Sequence, residues 1–310
     1  MNTFKTTMSL VGFKSVDAIA SYRNAFPSMM FELSYKMNSA FLESVRPVVT
    51  NRVASVHACC PSEPIFPNLG SHDPHIVKES LKAIESSAVT AISFGADILV
   101  LHPGYATDSA VPAENEQRKV LLEGEQFKRY VWRSKGSICT PDYVKQAVYV
   151  RHMAQALDLL PEAARLCASH GVRLAVENLN PRVGYLFQTP DEMIALATMG
   201  NNLFLCLDVG HLWISSCVYG FDYLTALRQV MATGKVINCH LHSNPSDRDR
   251  DLFIDNHDAF SANGFPITSI LAEVATPDTN LVLETVDDPD ANTLVLLEAL
   301  NRKQAKSSGV

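Results

Sequence analysis

The sequence predicts an α/β fold: a single closed (β/α)8 barrel with one long insertion after its fourth strand. Three observations carry this. Eight short β-rich runs alternate with longer amphipathic ones along the 310 residues. The runs are almost continuously apolar, as parallel strands covered by helices on one face must be. No linker divides the chain, and one barrel accounts for a chain of this length.

The strand runs are TTMSLVGF (6–13), MMFELSY (29–35), VASVHAC (53–59), ADILVLHPG (96–104), VRLAVENL (172–179), LFLCLDVGH (203–211), VINCHLHS (236–243) and NLVLETVD (280–287). Between them, SVDAIASYRNAF opens on a Ser N-cap signal, and the helical pattern over 73–95 closes on Gly95. A third pattern, over 140–171, closes on Gly171 and carries Pro161 as an expected kink or break. TPDEMIALATMG and YLTALRQVMATG repeat the capping and glycine punctuation. The barrel is expected over 1–303, with 304–310 a flexible tail.

Residues 105–139 break the rhythm, being too long for an ordinary βα loop. They interleave Arg118, Lys119, Lys128, Arg129, Arg133 and Lys135 with Phe127, Tyr130 and Trp132. Such a segment reads either as a lid or substrate arm over the barrel mouth, or as a solvated excursion or subunit contact.

Composition narrows the function. Residues are 47% hydrophobic and 19% charged, which supports a large core. A net charge of −7 disfavours a broadly basic nucleic-acid or membrane surface, and no apolar run approaches a membrane span. Seven cysteines make no C-x-x-C pair, and residues 1–10 lack a signal-peptide pattern, so a cytoplasmic enzyme is expected.

In a barrel of this kind, chemistry gathers where strands end. The third run reaches His57, the fourth His102 and the fifth Glu177. The sixth reaches Asp208 with His211 one turn on, the seventh His242 with His240 two residues earlier, and the eighth Glu284. Asp255 and His257 follow as D-x-H. Alternation along a strand places Glu177 over Ala175, Asp208 over Cys206, Glu284 over Val282 and His57 over Ser55, columns that point into the barrel. Converging carboxylates are costly to bury unpaired, and mixed N/O donors suit Zn²⁺, Mn²⁺, Fe²⁺ or Co²⁺.

The motifs VHACCP, LVLHPG, AVENLNP, CLDVGH, HLHSN…IDNH and LVLET resemble those of the xylose isomerase-like TIM-barrel superfamily, which holds sugar (phosphate) isomerases and epimerases and endonuclease IV. The resemblance implies a metal site of Glu177, Asp208, His242 and Glu284, the second histidine of HLH matching the ligand rather than the deeper His240. It implies further ligands at His57 and His102 for one metal, and at His211, Asp255 and His257 for another, hence one to three Mn²⁺ or Zn²⁺ ions. It also puts Glu177 and Glu284 on either side of the substrate carbon as catalytic groups, with His211 catalytic or substrate-holding and His102 near the substrate. Arg182, in the loop after the fifth strand, is a candidate for a substrate phosphate or carboxylate.

The expected activity is a metal-dependent isomerase or epimerase of a sugar, sugar phosphate or polyol, working through a metal-stabilised enediolate. The alternative is an endonuclease IV-like multi-zinc phosphodiesterase acting at abasic sites. FELSYKMNS, HACCP and LNPRVGYLF replace the DNA-contacting segments of that enzyme, which favours the first reading. A metal-binding barrel without catalysis is the third. The expected partner is a small sugar or sugar phosphate, with nucleic acid disfavoured, no membrane, and self-association an open possibility.

Overall fold

The computed structural model describes residues 4–307. Eight parallel strands close into a barrel in chain order: β1 (Lys5–Ser9), β2 (Met30–Leu33), β3 (Val53–His57), β4 (Ile98–Leu101), β5 (Arg173–Glu177), β6 (Leu203–Asp208), β7 (Val236–Leu241) and β8 (Asn280–Leu283), with β8 pairing β1. Helices α1 (Val16–Ala25), α2 (Ser39–Val49) and α3 (Pro74–Ser93) follow the first three strands. The insertion supplies α4 (Asn115–Leu122) and α5 (Glu125–Lys128). The outer ring continues with α6 (Ala147–Ser169), α7 (Pro190–Ala197), α8 (Val209–Tyr219), α9 (Tyr223–Met231), α10 (Ile267–Val274) and α11 (Pro289–Ser307). No helix among the described residues is long and apolar enough to cross a membrane, and all seven cysteines are free thiols.

Two cores result. Outward-facing strand residues such as Leu99, Leu174, Leu205 and Leu281 pack against the helices. Inside the barrel, Ile98, Val100, Ala175, Cys206 and Ile237 form a separate small cluster. The rest of the lumen floor is polar. Thr7 Oγ1 donates to Asn280 Oδ1 at 2.6 Å, Asn280 Nδ2 to Asn238 Oδ1 at 2.7 Å, and Ser55 Oγ to Glu32 Oε2 at 2.7 Å. Mutual pairing is what makes such groups tolerable in a dry lumen.

Several boundaries differ from expectation. The first strand stops at Ser9, where the Ser9 hydroxyl accepts from the Val11 N–H and the chain turns 3-10. The sixth stops at Asp208, whose carboxylate caps α8 by accepting the His211 N–H at 2.7 Å, so His211 is helical. Pro161 does not break its helix, because α6 runs through it. That helix begins at Ala147 rather than near Thr140, after a 3-10 turn over Tyr143–Lys145. The final helix extends to Ser307, over part of the expected tail, and 308–310 lie outside the described residues.

The insertion is packed down rather than solvated. Tyr105, Val111, Leu122, Phe127, Ile138 and Cys139 are buried. Val111–Pro112 pairs with Ile65–Phe66, and Val131–Arg133 with Ile138–Cys139. Of its six basic residues only Arg118 lines the cavity at the barrel mouth. Arg133 instead pairs with Asp251 at 2.8 Å and Lys128 with Glu125 at 3.3 Å.

Candidate metal centre

At the C-terminal rim of the barrel, a cavity of about 220 Å³ is lined by His57, His102, Glu177, His211, Asp255, His257 and Glu284. Asp208 and His242 lie just beneath, fully buried. All nine expected ligands therefore meet in one place.

They meet in three groups, within each of which one ligand atom per residue lies within 4.8 Å of the others. His57, His102 and Glu177 form the first; His57 Nε2 and His102 Nε2 stand 3.1 and 3.3 Å from Glu177 Oε2. The second contains Glu177, Asp208 and Glu284 with His240. The third contains His211, Asp255 and His257 with His242. Thus the histidine nearest Glu177 and Glu284 is the deeper one: His240 Nδ1 lies 3.3 and 3.2 Å from them. His242 Nε2 lies 3.0 Å from Asp208 Oδ1, which places Asp208 between the second and third groups. Strand alternation explains the outcome, since residues 240 and 242 face the lumen at successive depths. A fourth cluster, His72, Asp108 and His152, lies at the root of the insertion, with His152 Nδ1 2.6 Å from the Gly70 carbonyl.

Contacts between separate segments of the chain hold these groups. Asp208 N–H donates to Asn178 Oδ1 at 2.8 Å and Asn178 Nδ2 returns a bond to the Asp208 carbonyl at 3.0 Å, tying β5 to β6 at the rim. Asn180 Nδ2 donates to Asp255 Oδ2 at 2.5 Å. His257 Nδ1 lies 2.9 Å from the Glu284 carbonyl and its ring stacks on His242 at 3.9 Å. Such contacts fix ring orientation and tautomer, as metal-ligating histidines need.

The electrostatics show a site built around charge. Burial alone would raise the Glu177 carboxyl, but His240 and His102 outweigh it and hold it well below the carboxylate range. Burial likewise opposes ionisation of Asp255, which His257 and His211 pull far down, and of Glu284, which His240 pulls down. Burial lowers His211, but Asp208 and Asp255 raise it well above its ordinary value. These carboxylates are ionised, desolvated and crowded together. A divalent cation fits that donor set, which is hard anionic oxygen mixed with imidazole, and Asp255 Oδ1 is a buried oxygen without a hydrogen-bond partner.

The sequence profile of the xylose isomerase-like TIM barrel family matches residues 49–304. The chain belongs to that family. The uncharacterized protein MJ1614 of Methanocaldococcus jannaschii is 24% identical over 187 residues, 60% of this chain and 56% of that one, so the match spans little more than half of that relative. A D-tagatose 3-epimerase-like structure superposes with TM-score 0.69 at 16% identity, covering 98% of this chain and 99% of that one. Endonuclease IV from Thermus thermophilus superposes with TM-score 0.55 at 18% identity, covering 96% and 99%. The chain thus shares its barrel fold with structures of both names.

Sequence reading passed over three kinds of residue in this family member. Glu32 is fully buried near the end of β2, with Oε1 3.1 Å from His240 Nε2. The rule that found Glu177, a carboxylate closing an apolar strand, would have found it in MMFELSY. Asn178 and Asn180 looked like turn residues, and nothing local marks them otherwise. Arg118 hides among the insertion's other cations. Arg182 lines the same cavity as His102 and His211.

Proposed function

We propose that this protein is a divalent-metal-dependent isomerase or epimerase acting on a sugar, sugar phosphate or polyol. The observation that carries the reading is the pair Glu177 and Glu284. They come from β5 and from just beyond β8, face one small cavity, and converge on His240 from two directions. Glu177, Asp208 and Glu284 with His240 or His242 would hold the central ion; His57 with His102, and His211 with Asp255 and His257, would be the donors for the further ions of a multi-metal hydrolase. A bound cation supplies Lewis-acid polarisation of a hydroxyketone's oxygens.

The chain's own residues then do the rest. Both glutamates are ionised, so either can take the proton from the carbon beside the carbonyl, and the other, once protonated, can return one. His211 has Nδ1 3.0 Å from the Asn178 carbonyl and Nε2 3.2 Å from Asp255 Oδ2, so it would bind a substrate hydroxyl through Nε2 only on releasing Asp255, with His102 lining the same cavity. Tyr35, Tyr105 and Phe66 wall the cavity and limit water. The resemblance to epimerase structures supports the reading, as does a small cavity that the insertion helps to line with Tyr105, Asn115 and Arg118.

The test is proton exchange. Metal-loaded protein incubated with ketopentoses and ketohexoses in D2O is expected to place deuterium on the carbon beside the carbonyl and to yield the epimer or aldose. A protein inert toward all of them, yet cutting an abasic-site oligonucleotide in an EDTA-sensitive way, would instead be a phosphodiesterase. The three ligand groups favour that second reading. Metal analysis separates the two, one ion per chain supporting the isomerase and three zincs the hydrolase.

A further inference from the structure

Two cations line the same cavity without a counter-charge. Arg118, from α4, is only 9% exposed, and Arg182 follows β5. Among the described residues neither has a carboxylate within ion-pair distance; Glu114, the acid at the start of α4, accepts instead from the Glu116 and Gln117 N–H groups. Arg118 spends Nε on the Tyr185 hydroxyl at 3.2 Å and Nη1 on the carbonyls of Pro112 and Ala113 at 3.1 and 2.8 Å. Its Nη2 donates to Asn115 Oδ1 at 3.1 Å, which leaves one Nη2 hydrogen over. Arg182 Nη1 reaches the Tyr185 hydroxyl at 3.5 Å, and its Nε is buried with no partner.

The tyrosines compound the surplus of donors. Tyr105 is fully buried, its hydroxyl has no partner, and the ionisable groups around it are Tyr185, Arg118, Arg182 and Tyr35. Tyr185 accepts from both arginines, so its own O–H points elsewhere. The unpartnered acceptors on the same wall, Asn180 Oδ1 and Asp255 Oδ1, make no hydrogen bond to these groups, and buried unmatched donors with unpaired cations are costly. Two guanidiniums and two phenols around one space are matched by a group with several acceptor oxygens and two negative charges.

We infer that Tyr105, Arg118, Arg182 and Tyr185 form a phosphate subsite, and that the substrate is a small sugar or polyol carrying a phosphate monoester away from its reacting carbon. The substrate class rests on the isomerase reading; the subsite rests on the donors alone. The insertion acquires a role, because it brings both Tyr105 and Arg118 to the site.

The experiment uses inorganic phosphate as probe, by calorimetry on the metal-loaded protein, with Tyr105→Phe, Arg182→Gln and Glu284→Gln as variants. Tyr105→Phe keeps the ring that packs edge-on to Tyr185 at 5.2 Å, so the fold is retained. Wild type is expected to bind phosphate, Y105F and R182Q to bind it about 10-fold or more weakly, as loss of a hydrogen bond to a charged group implies, and E284Q to bind it as wild type does. Kinetics on a ketopentose 5-phosphate should show KM raised by a similar factor in R182Q with kcat within about 3-fold, a larger rise in KM than the same variant shows on the unphosphorylated ketopentose. No phosphate binding by wild type, equal binding by all variants, or loss in E284Q alone would each overturn the subsite, the last by assigning phosphate to the metal. Tighter competition by an oligonucleotide than by the sugar phosphate would overturn the small-substrate assignment. The expected binding pattern without exchange on any ketose would keep the subsite and reject the isomerase reading.

Discussion

Gly210 is the sharpest point at which the site can be perturbed without touching a functional group. It lies in the first turn of α8, against the His242 ring. A Cβ built there would stand 2.1, 2.5 and 2.6 Å from His242 Cε1, Nδ1 and Nε2. Ordinary contact between such atoms is about 3.5–4.0 Å, so Gly210→Ala forces the ring back by about 1.5 Å. His242 is fully buried, with Nε2 3.0 Å from Asp208 Oδ1, and has no solvent to move into. Losing that charge-assisted bond costs about 1.5–3 kcal/mol. Overpacking adds about 1–3 kcal/mol. The helical gain of alanine over glycine returns about 0.5–1 kcal/mol. The net is a loss of about 2–5 kcal/mol. With an unfolding entropy of about 2.1 cal/mol/K per residue, a chain of 310 residues should lose about 3–8 °C in Tm. Differential scanning calorimetry with and without zinc, together with metal analysis, reads both consequences, and metal content per chain should fall as well. Gly200→Ala is the control, because nothing lies within 4 Å of a Cβ there. If G210A melts and loads metal as wild type does, His242 does not sit where this account needs it.

Other outcomes follow from the same geometry. Glu284→Gln should lower kcat at least about 100-fold, as expected for loss of a proton-transferring group, while circular dichroism and the melting profile show the fold retained; full activity would misplace the catalytic carboxylate. Stripping metal with EDTA should lower Tm, by about 4 °C if the ion had been present at about 100-fold over its Kd, and re-addition should restore it. Glu192 bears on pH. It accepts from the Gln188 and Thr189 N–H groups, both at 2.8 Å, and from the Tyr149 hydroxyl at 2.6 Å, yet burial pushes its carboxyl above the usual value. A carboxyl raised on folding contributes fully below its unfolded value of about 4.3 and loses that contribution as pH rises through the folded value. Glu192→Gln removes the titration, so the Tm difference should shift in favour of E192Q between pH 4 and 7. A difference that stays flat with pH would refute the assignment.

The eight strands were legible because burial on both faces writes itself into the chain as short apolar runs. The ligand types were legible because a carboxylate at the end of such a run has no other cheap explanation. Which imidazole meets which carboxylate was not legible. His240 and His242 share a strand face, and only the closing of β6, β7 and β8 around the lumen shows that His240 meets Glu177 and Glu284 while His242 meets Asp208. The end of the sixth strand at Asp208 was legible, but not that the same side chain both caps a helix and faces the site.

By itself, then, the sequence determined the barrel, the place of the insertion and the chemical kinds of residue at the rim, because local hydrophobic period and residue type suffice for those. Only the tertiary structure decided which imidazole faces which carboxylate, that one of the insertion's six cations enters the cavity, and that Glu32 stands behind His240. Those are distances between segments up to 208 residues apart in the chain, and they are set by strand register and barrel closure rather than by any local pattern.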